Sequence, residues 1–296
     1  FLSQITDTSD APFLTNGFTV EEMKSFADPR DVNWTQLTSD VRSSKDSVVN
    51  LLLIGQDRRE NESVSRADSI LLCSFRKDTK QLTMTSFLRD LYVPIPGHGS
   101  NRINAAYSFG GTSLLKKTID ENFHVTIDGS IEVDFTHFSE IIDQLGGVEI
   151  ELRQDEAEVI NHQTGSSLTE GLQSLDGFQA LTYSRIRSLD RDGDFSRTNR
   201  QRKVINAVVD SLRNISLTDL TPLISKILPM LTTDLSRGQL FLYALEILPN
   251  LSQIDIQSQR IPADGTFTDK TIDGMSVLVA DMDAQRQHLR STLLEP

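Results

Sequence analysis

The chain reads as an α/β protein, a sandwich around one central mixed sheet that is partly antiparallel. Three observations carry that reading. Apolar runs of strand length interleave with longer segments of helical period, which places helices against a sheet. The first three strand-like runs follow one another over short joins, which makes that part of the sheet antiparallel. The 296 residues are 38% hydrophobic and 24% charged, enough to build a sizeable core.

Residues 1–46 are polar and rich in Ser, Thr and Asp, with Phe13, Phe18, Phe26 and Trp34 as anchors. They read as an extension ahead of a main domain over 47–296. That domain opens with Ser47 to Ile54, an apolar run ended by Gly55-Gln56-Asp57. Ser69 to Phe75 is a second buried strand, and Gln81 to Phe87 a third. Val93-Pro94-Ile95-Pro96-Gly97 breaks the pattern. Asn104 to Tyr107 and Gly111 to Asn122 are helical, with Gly110-Gly111 as their joint. Ile131 to Phe135 is a strand, and Phe138 to Leu145 a helix stopped by Gly146-Gly147. Val148 to Leu152 alternates as a strand does. A helix opens at Ser174 and runs to Tyr183, and a longer amphipathic one covers Thr198 to Asn214. Helices follow over 217–231 and 236–249, then strands over Ile254 to Ile261 and Ser276 to Ala280. A helix from Met282 to Leu294 closes the chain.

The net charge of -13 argues against non-specific binding to nucleic acid or to an anionic membrane surface. The single cysteine, Cys73, excludes a disulfide within the chain and reads as a core thiol on the second strand. The histidines lack metal-ligand spacing, and no Gly-x-Ser-x-Gly nucleophile motif occurs.

Against the acidic background stands one local reversal. From Arg185 to Lys203 run six arginines and one lysine against three aspartates, a balance of +4. Two guanidinium groups about 6 Å apart repel by roughly 3 kcal/mol at an effective dielectric near 20. Convergent arginines therefore call for an anion, and their planar forks suit phosphate. Arg185 and Arg187, if extended, point to one side; Arg197 and Gln201 share a helical face. The rival reading is an inert salt-bridge network with a solvated helix face. Further charges gather at strand ends: Asp57 and Arg59, Arg66 and Asp68, Arg89 and Asp90. If the first two strands are antiparallel, Asp57 and Asp68 meet at one sheet edge, where paired carboxylates suit an oxygen-seeking dication such as Mg2+. A capped, solvated loop explains the same spacing.

These segments resemble, in order, the LytR-CpsA-Psr family of bacterial cell-envelope proteins. The blocks are Leu51 to Arg59, Arg66-Ala-Asp68-Ser-Ile70, Ser86-Phe-Leu-Arg89-Asp90, Val93-Pro-Ile-Pro96 and Ile103-Asn-Ala-Ala-Tyr107. Leu145-Gly-Gly-Val148, Leu175 to Ala180, Tyr183-Ser-Arg185-Ile-Arg187 and Asp194-Phe-Ser-Arg197-Thr-Asn-Arg200-Gln201-Arg202 complete them. The resemblance implies an α/β/α sandwich with a polyprenyl-lipid tunnel between sheet and helices. It implies a phosphotransferase, dependent on Mg2+ or Mn2+, that moves an anionic glycopolymer from a polyprenyl-pyrophosphate carrier to peptidoglycan. The work would be done on the extracellular face of the cell membrane, behind an N-terminal span ahead of residue 1. Carried onto matching positions, Asp57 and Asp68 hold the metal. Arg89, Arg185, Arg187, Arg197 and Gln201 grip the phosphates, Arg59 and Arg66 line the mouth, and Asp194 lies close by. Asp90 or Asp194 takes the proton. The same site with water as acceptor would be a pyrophosphatase. A non-catalytic regulator of envelope genes is the reading that the acidic charge and the lack of a basic recognition helix disfavour. Polymer selectivity is expected in surface loops such as Glu60–Ser65 and Asn161–Ser167.

Overall fold

The structure, a computed structural model, describes residues 48–57, 66–187, 189, 193–213, 215, 217–236, 238–240, 243 and 247–294. The expected extension over 1–46 lies outside them. Among the described residues the central sheet has six strands: β1 (Val48–Asp57), β2 (Arg66–Arg76), β3 (Gln81–Phe87), β6 (Gly129–Asp134), β9 (Thr232–Thr233) and β10 (Asp255–Ile261). Their order is β10-β3-β2-β1-β6-β9. β1, β2 and β3 form an antiparallel meander, as the short joins predict. β6 joins β1 in parallel and β10 joins β3 in parallel, so the sheet is mixed. Two-stranded ribbons flank it: β4 (Tyr92–Ile95) with β5 (Gly99–Arg102), β7 (Val148–Leu152) with β8 (Gly171–Leu175), and β11 (Phe267–Ile272) with β12 (Met275–Ala280).

One face of the sheet is closed by α1 (Ile103–Phe123) and α7 (Met282–Leu294). Leu52, Ile54, Ile70 and Leu72 point to this side, all at most 2% exposed, and pack with Ile103, Leu115, Ile119 and Leu289. Truncating any one of them to Ala would cost about 2–5 kcal/mol. The expected joint in α1 is present: Gly110 and Gly111 leave the helical region, and Gly111 has φ +62°, a conformation open to glycine without strain. On the other face lie α2 (Phe135–Gln144) and α5 (Gly193–Arg213). Leu51, Leu53, Cys73, Ile131 and Val133 point that way by the strand register. These apolar residues sit on central strands, yet they are only half-buried. Burial of the sulfur pushes the Cys73 thiol up to about 12, while the residue as a whole is half-buried.

The helix boundaries move from the sequence expectation for local reasons. α4 spans Gly177–Arg185; its cap is Asp176, not Ser174. Asp176 Oδ1 accepts from Gln179 N at 2.8 Å, and Gln179 Oε1 accepts from Asp176 N at 3.0 Å, a reciprocal capping box. Ser174 belongs to β8 instead. α2 starts three residues early because Asp134 caps it, accepting from His137 N at 2.9 Å. Much of the expected loop Asn161–Ser167 is helix, since α3 runs from Gln154 to Thr164. α5 starts at Gly193, five residues before the predicted start, and α6 covers Leu217–Ile227. No helix among the described residues is long and apolar enough to cross a membrane.

Candidate active site

The site is built where the β1–β2 edge meets the segment after β3. The β1–β2 register shifts between Gly55 and Gln56: Gly55 pairs with Ser69 and Gln56 with Ala67. Asp68 is thus the extra residue of a β-bulge, a device that re-aims a side chain at a sheet end. Asp57 ends β1 opposite Arg66, the first residue of β2. Both aspartates therefore lie at one sheet edge, as the antiparallel pairing predicts. The side chains of Asp57 and Arg66, all of Arg59, and the loop 60–65 fall outside the described residues.

Arg89 follows the end of β3 and donates from Nη1 to Asp68 Oδ1 at 3.2 Å. From the other side Arg187 Nη2 approaches Asp68 Oδ2 at 3.7 Å. Asp68 is 18% exposed, so its charge sits partly out of water between two cations. Asp90 continues the alternation, with Oδ2 3.6 Å from Arg89 Nε and Oδ1 3.3 Å from Arg102 Nε. Arg102 also donates to Ser276 O, from Nη2 at 2.5 Å and from Nε at 3.0 Å. The run Arg102–Asp90–Arg89–Asp68–Arg187 is one chain of opposite charges. Sequence reasoning did not single out Arg102. It precedes α1 next to the Ile103-Asn104 block, and no spacing signal marks it.

Arg185 and Arg187 do not alternate along a strand. Arg185 is the last residue of α4, and its guanidinium lies 4.4 Å from the ring centre of Phe135. Ile186 turns inward and is buried, and Arg187 turns back toward Asp68. The cation–π contact at Phe135 fixes Arg185 without neutralising it. α5 then brings Arg197, which is 2% exposed, and Gln201, which is half-buried. Asp194 lies in the first turn of α5, and its side chain is not described.

Arg200 takes a different position from the one a solvated helix face predicts. Its Nε donates to Glu156 Oε1 at 2.7 Å, its Nη1 to Ile186 O at 3.3 Å, and both side chains are 3% exposed. It clamps α5 to α3 and to the turn that carries Arg187. Arg191 lies outside the described residues, and Lys203 is exposed.

Guanidinium groups from three separate segments, Arg89, Arg102 and Arg187, thus gather around the carboxylates of Asp68 and Asp90. Among the described residues no group of three or more acidic, His or Cys side chains converges as a metal site. Asp68 itself fits a hard cation. It is an oxygen donor at a sheet edge shared with Asp57, and its two contacts at 3.2 and 3.7 Å are not the short bonds of a saturated carboxylate.

Comparison with known proteins follows the same lines. The model of the LytR_cpsA_psr family matches residues 15–292. "Regulatory protein MsrR" of Staphylococcus aureus strain COL is 31% identical over 281 residues, 93% of this chain and 82% of that protein. "Polyisoprenyl-teichoic acid--peptidoglycan teichoic acid transferase TagU" of Enterococcus faecalis is 34% identical over 218 residues, 70% of each. A solved structure, "LytR-CPS2A-psr family protein YwtF (TagT) with bound octaprenyl pyrophosphate lipid", superposes with a TM-score of 0.65 at 25% identity, covering 84% of this chain and 91% of that one. With nearly the whole described domain inside the matched range, the chain belongs to the LytR-CpsA-Psr family.

Proposed function

We propose that this protein transfers an anionic glycopolymer from a polyprenyl-pyrophosphate carrier to peptidoglycan, on the outer face of the cell membrane. The observation that carries the reading is the convergence on Asp68 of Arg89 and Arg187, from segments about a hundred residues apart. A carboxylate and a set of forked cations at one sheet edge suit a pyrophosphate better than a single phosphate. The relatives named for teichoic acid transfer and for octaprenyl pyrophosphate support the same substrate class.

Arg89, Arg185, Arg187, Arg197 and Gln201 bind the two phosphates; Arg59 and Arg66 line the entrance. Asp57 and Asp68 would hold a Mg2+ or Mn2+ ion, which supplies further positive charge to the phosphate oxygens. The acceptor sugar hydroxyl attacks the phosphorus that carries the glycan. A new oxygen–phosphorus bond forms, the bond from that phosphorus to the bridging oxygen breaks, and polyprenyl phosphate leaves. Asp90 faces cations with both of its oxygens, so its part is to orient Arg89. Asp194 then takes the hydroxyl proton. The arginines offset the charge that develops on the bridging oxygen, a contribution of several kcal/mol in a preorganised site.

The lipid would lie along the sheet face formed by Leu51, Leu53, Cys73, Ile131 and Val133. Half-buried apolar residues on central strands support this placement, and each CH2 that enters would contribute about 0.8 kcal/mol. The test is transfer of lipid-linked glycan to peptidoglycan by purified protein. Arg187→Ala and Arg185→Ala should each abolish it, and normal transfer by either variant would overturn the assignment. Equal phosphate release with and without peptidoglycan would replace transfer by hydrolysis.

A further inference from the structure

Two arginines have no part in the site as described and stand together beside it. Arg260 lies opposite Ser86 in the parallel β10–β3 register. Arg202 reaches the same point from α5, where Nη1 donates to Ser86 Oγ at 3.1 Å and to Gln259 O at 3.4 Å. Among the described residues Arg202 has no carboxylate partner. Among the described residues Arg260 pairs only with Asp264, a residue whose side chain is 86% exposed. The Nε of each guanidinium is buried with no acceptor among the described residues. Burial first, and then the charge of Arg260, press the Arg202 guanidinium below its ordinary value. Beneath Arg260 lies Phe195, 4.5 Å from guanidinium to ring centre, and Phe195 stacks on Phe267 at 5.6 Å.

Two neighbouring cations that share too few acceptors are stabilised by an anion more than by water. The stacked Phe195 and Phe267 rings hold the Arg260 guanidinium in place by a cation–π contact without supplying it an acceptor. The location is next to the phosphate grip: Ser86 is three residues before Arg89, and Arg202 follows Gln201 in sequence.

We propose that Arg202 and Arg260, with Phe195 and Phe267, form a second anion subsite that takes a phosphate-bearing unit of the glycopolymer. The identity of the occupant rests on the proposed transfer function; the subsite itself does not. Selectivity among polymers then lies partly in this subsite, where the number and spacing of phosphates can be read, and not only in surface loops.

The probe is sn-glycerol 3-phosphate, titrated into the uniformly 15N-labelled protein while arginine Nε–H signals are followed. The signals of Arg202 and Arg260, assigned by loss in R202Q and R260Q, should shift and saturate. They should do so equally when octaprenyl pyrophosphate already fills the main grip. R202Q and R260Q should each weaken glycerol phosphate about tenfold, the factor that 1.4 kcal/mol represents. Their affinity for octaprenyl pyrophosphate should stay within about twofold of the parent protein. R202K, which keeps the charge but loses the fork, should recover part of the affinity, and this separates binding from folding if R202Q is unstable. Absence of shifts at both signals, displacement of the probe by octaprenyl pyrophosphate, or equal loss of both ligands in R202Q would overturn the subsite. Shifts no larger than those given by the same concentration of chloride would mark an adventitious ion only, with the same consequence. Failure of the parent protein to bind octaprenyl pyrophosphate would overturn the lipid reading, while the glycerol phosphate titration still decides the subsite.

Discussion

Arg200 and Glu156 form the pair whose removal should most affect the arginine-bearing helix without touching the phosphates. Arg200→Met leaves the Glu156 carboxylate buried with no cation, since both side chains are 3% exposed and joined at 2.7 Å. Breaking such a pair from one side costs about 3–5 kcal/mol. The Ile186 carbonyl also loses its donor at 3.3 Å, adding about 1 kcal/mol. At roughly 2–4 °C per kcal/mol for a domain of this size, the melting temperature should fall by about 8–24 °C. Arg200→Met combined with Glu156→Leu removes both charges and should recover most of the loss, because apolar replacement of a buried pair is often neutral. Urea unfolding of the parent, both single variants and the double variant gives the coupling energy. The single variants, once folded at low temperature, should bind octaprenyl pyrophosphate within about threefold of the parent. A loss below about 1 kcal/mol in Arg200→Met, or a double variant as unstable as the two singles added, would refute the buried-clamp argument. An unchanged melting temperature with collapsed phosphate binding would instead put Arg200 in the phosphate grip.

Asp68→Asn removes the charge that both Arg89 and Arg187 face; transfer should fall by about 10³-fold or more while melting changes little, and steady-state transfer with lipid-linked glycan measures it. Gly177→Ala would place a Cβ 2.0 Å from the backbone oxygen of Ser139, which cannot swing away; thermal melting should show a loss of about 1–3 kcal/mol, with Arg185 displaced along with α4. Cys73 should resist alkylation, since the thiol is held protonated up to about pH 12 and the thiolate is the reactive form. The sign for stability follows: the raised thiol contributes stability below its unfolded value of 9.0, lost as pH rises from there to about 12. Slow labelling by a small uncharged maleimide that stops altogether when octaprenyl phosphate is bound would support the placement of the lipid; labelling unaffected by the lipid would count against it.

The sheet was legible because its core strands are continuous apolar runs: Ser47–Ile54, Ser69–Phe75 and Gln81–Phe87 match β1, β2 and β3 within a few residues. The β7 alternation of Val148, Ile150 and Leu152 was equally plain, and all three are buried. Short polar ribbons were not legible. β5 is Gly99–Arg102 and β11 is Phe267–Ile272, neither with an apolar stripe, because each is held by its hairpin partner and not by a core. α3 was missed because its buried side includes Glu156, a residue that counts as polar in any periodicity and is inside only because Arg200 lies 44 positions later. In the site, paired aspartates and a crowd of arginines could be seen, but the bulge that aims Asp68 depends on a register no single strand contains.

The arginine run shows why spacing alone could not assign roles within it. Tyr183-Ser184-Arg185-Ile186-Arg187 has the alternation of a strand, and as a strand both arginines would share one face. The capping box at Asp176 starts α4 so that it reaches Arg185, and the chain leaves the helix at Ile186. The two guanidiniums therefore part, one onto the Phe135 ring and the other toward Asp68. On α5 the 3.6-residue turn does the same to Arg197, Arg200 and Arg202. Arg200 turns to α3 and Arg202 turns to β3 and β10, while Arg197 and Gln201 lie four residues apart on α5. A helix with three arginines in six residues, two of them buried and one half-buried, sends them to different partners. Glu156 holds Arg200, and the Ser86–Gln259 corner holds Arg202. The corner supplies acceptors but no charge, which is why Arg202, with Arg260 beside it, remains the place where one more anion would be stabilised.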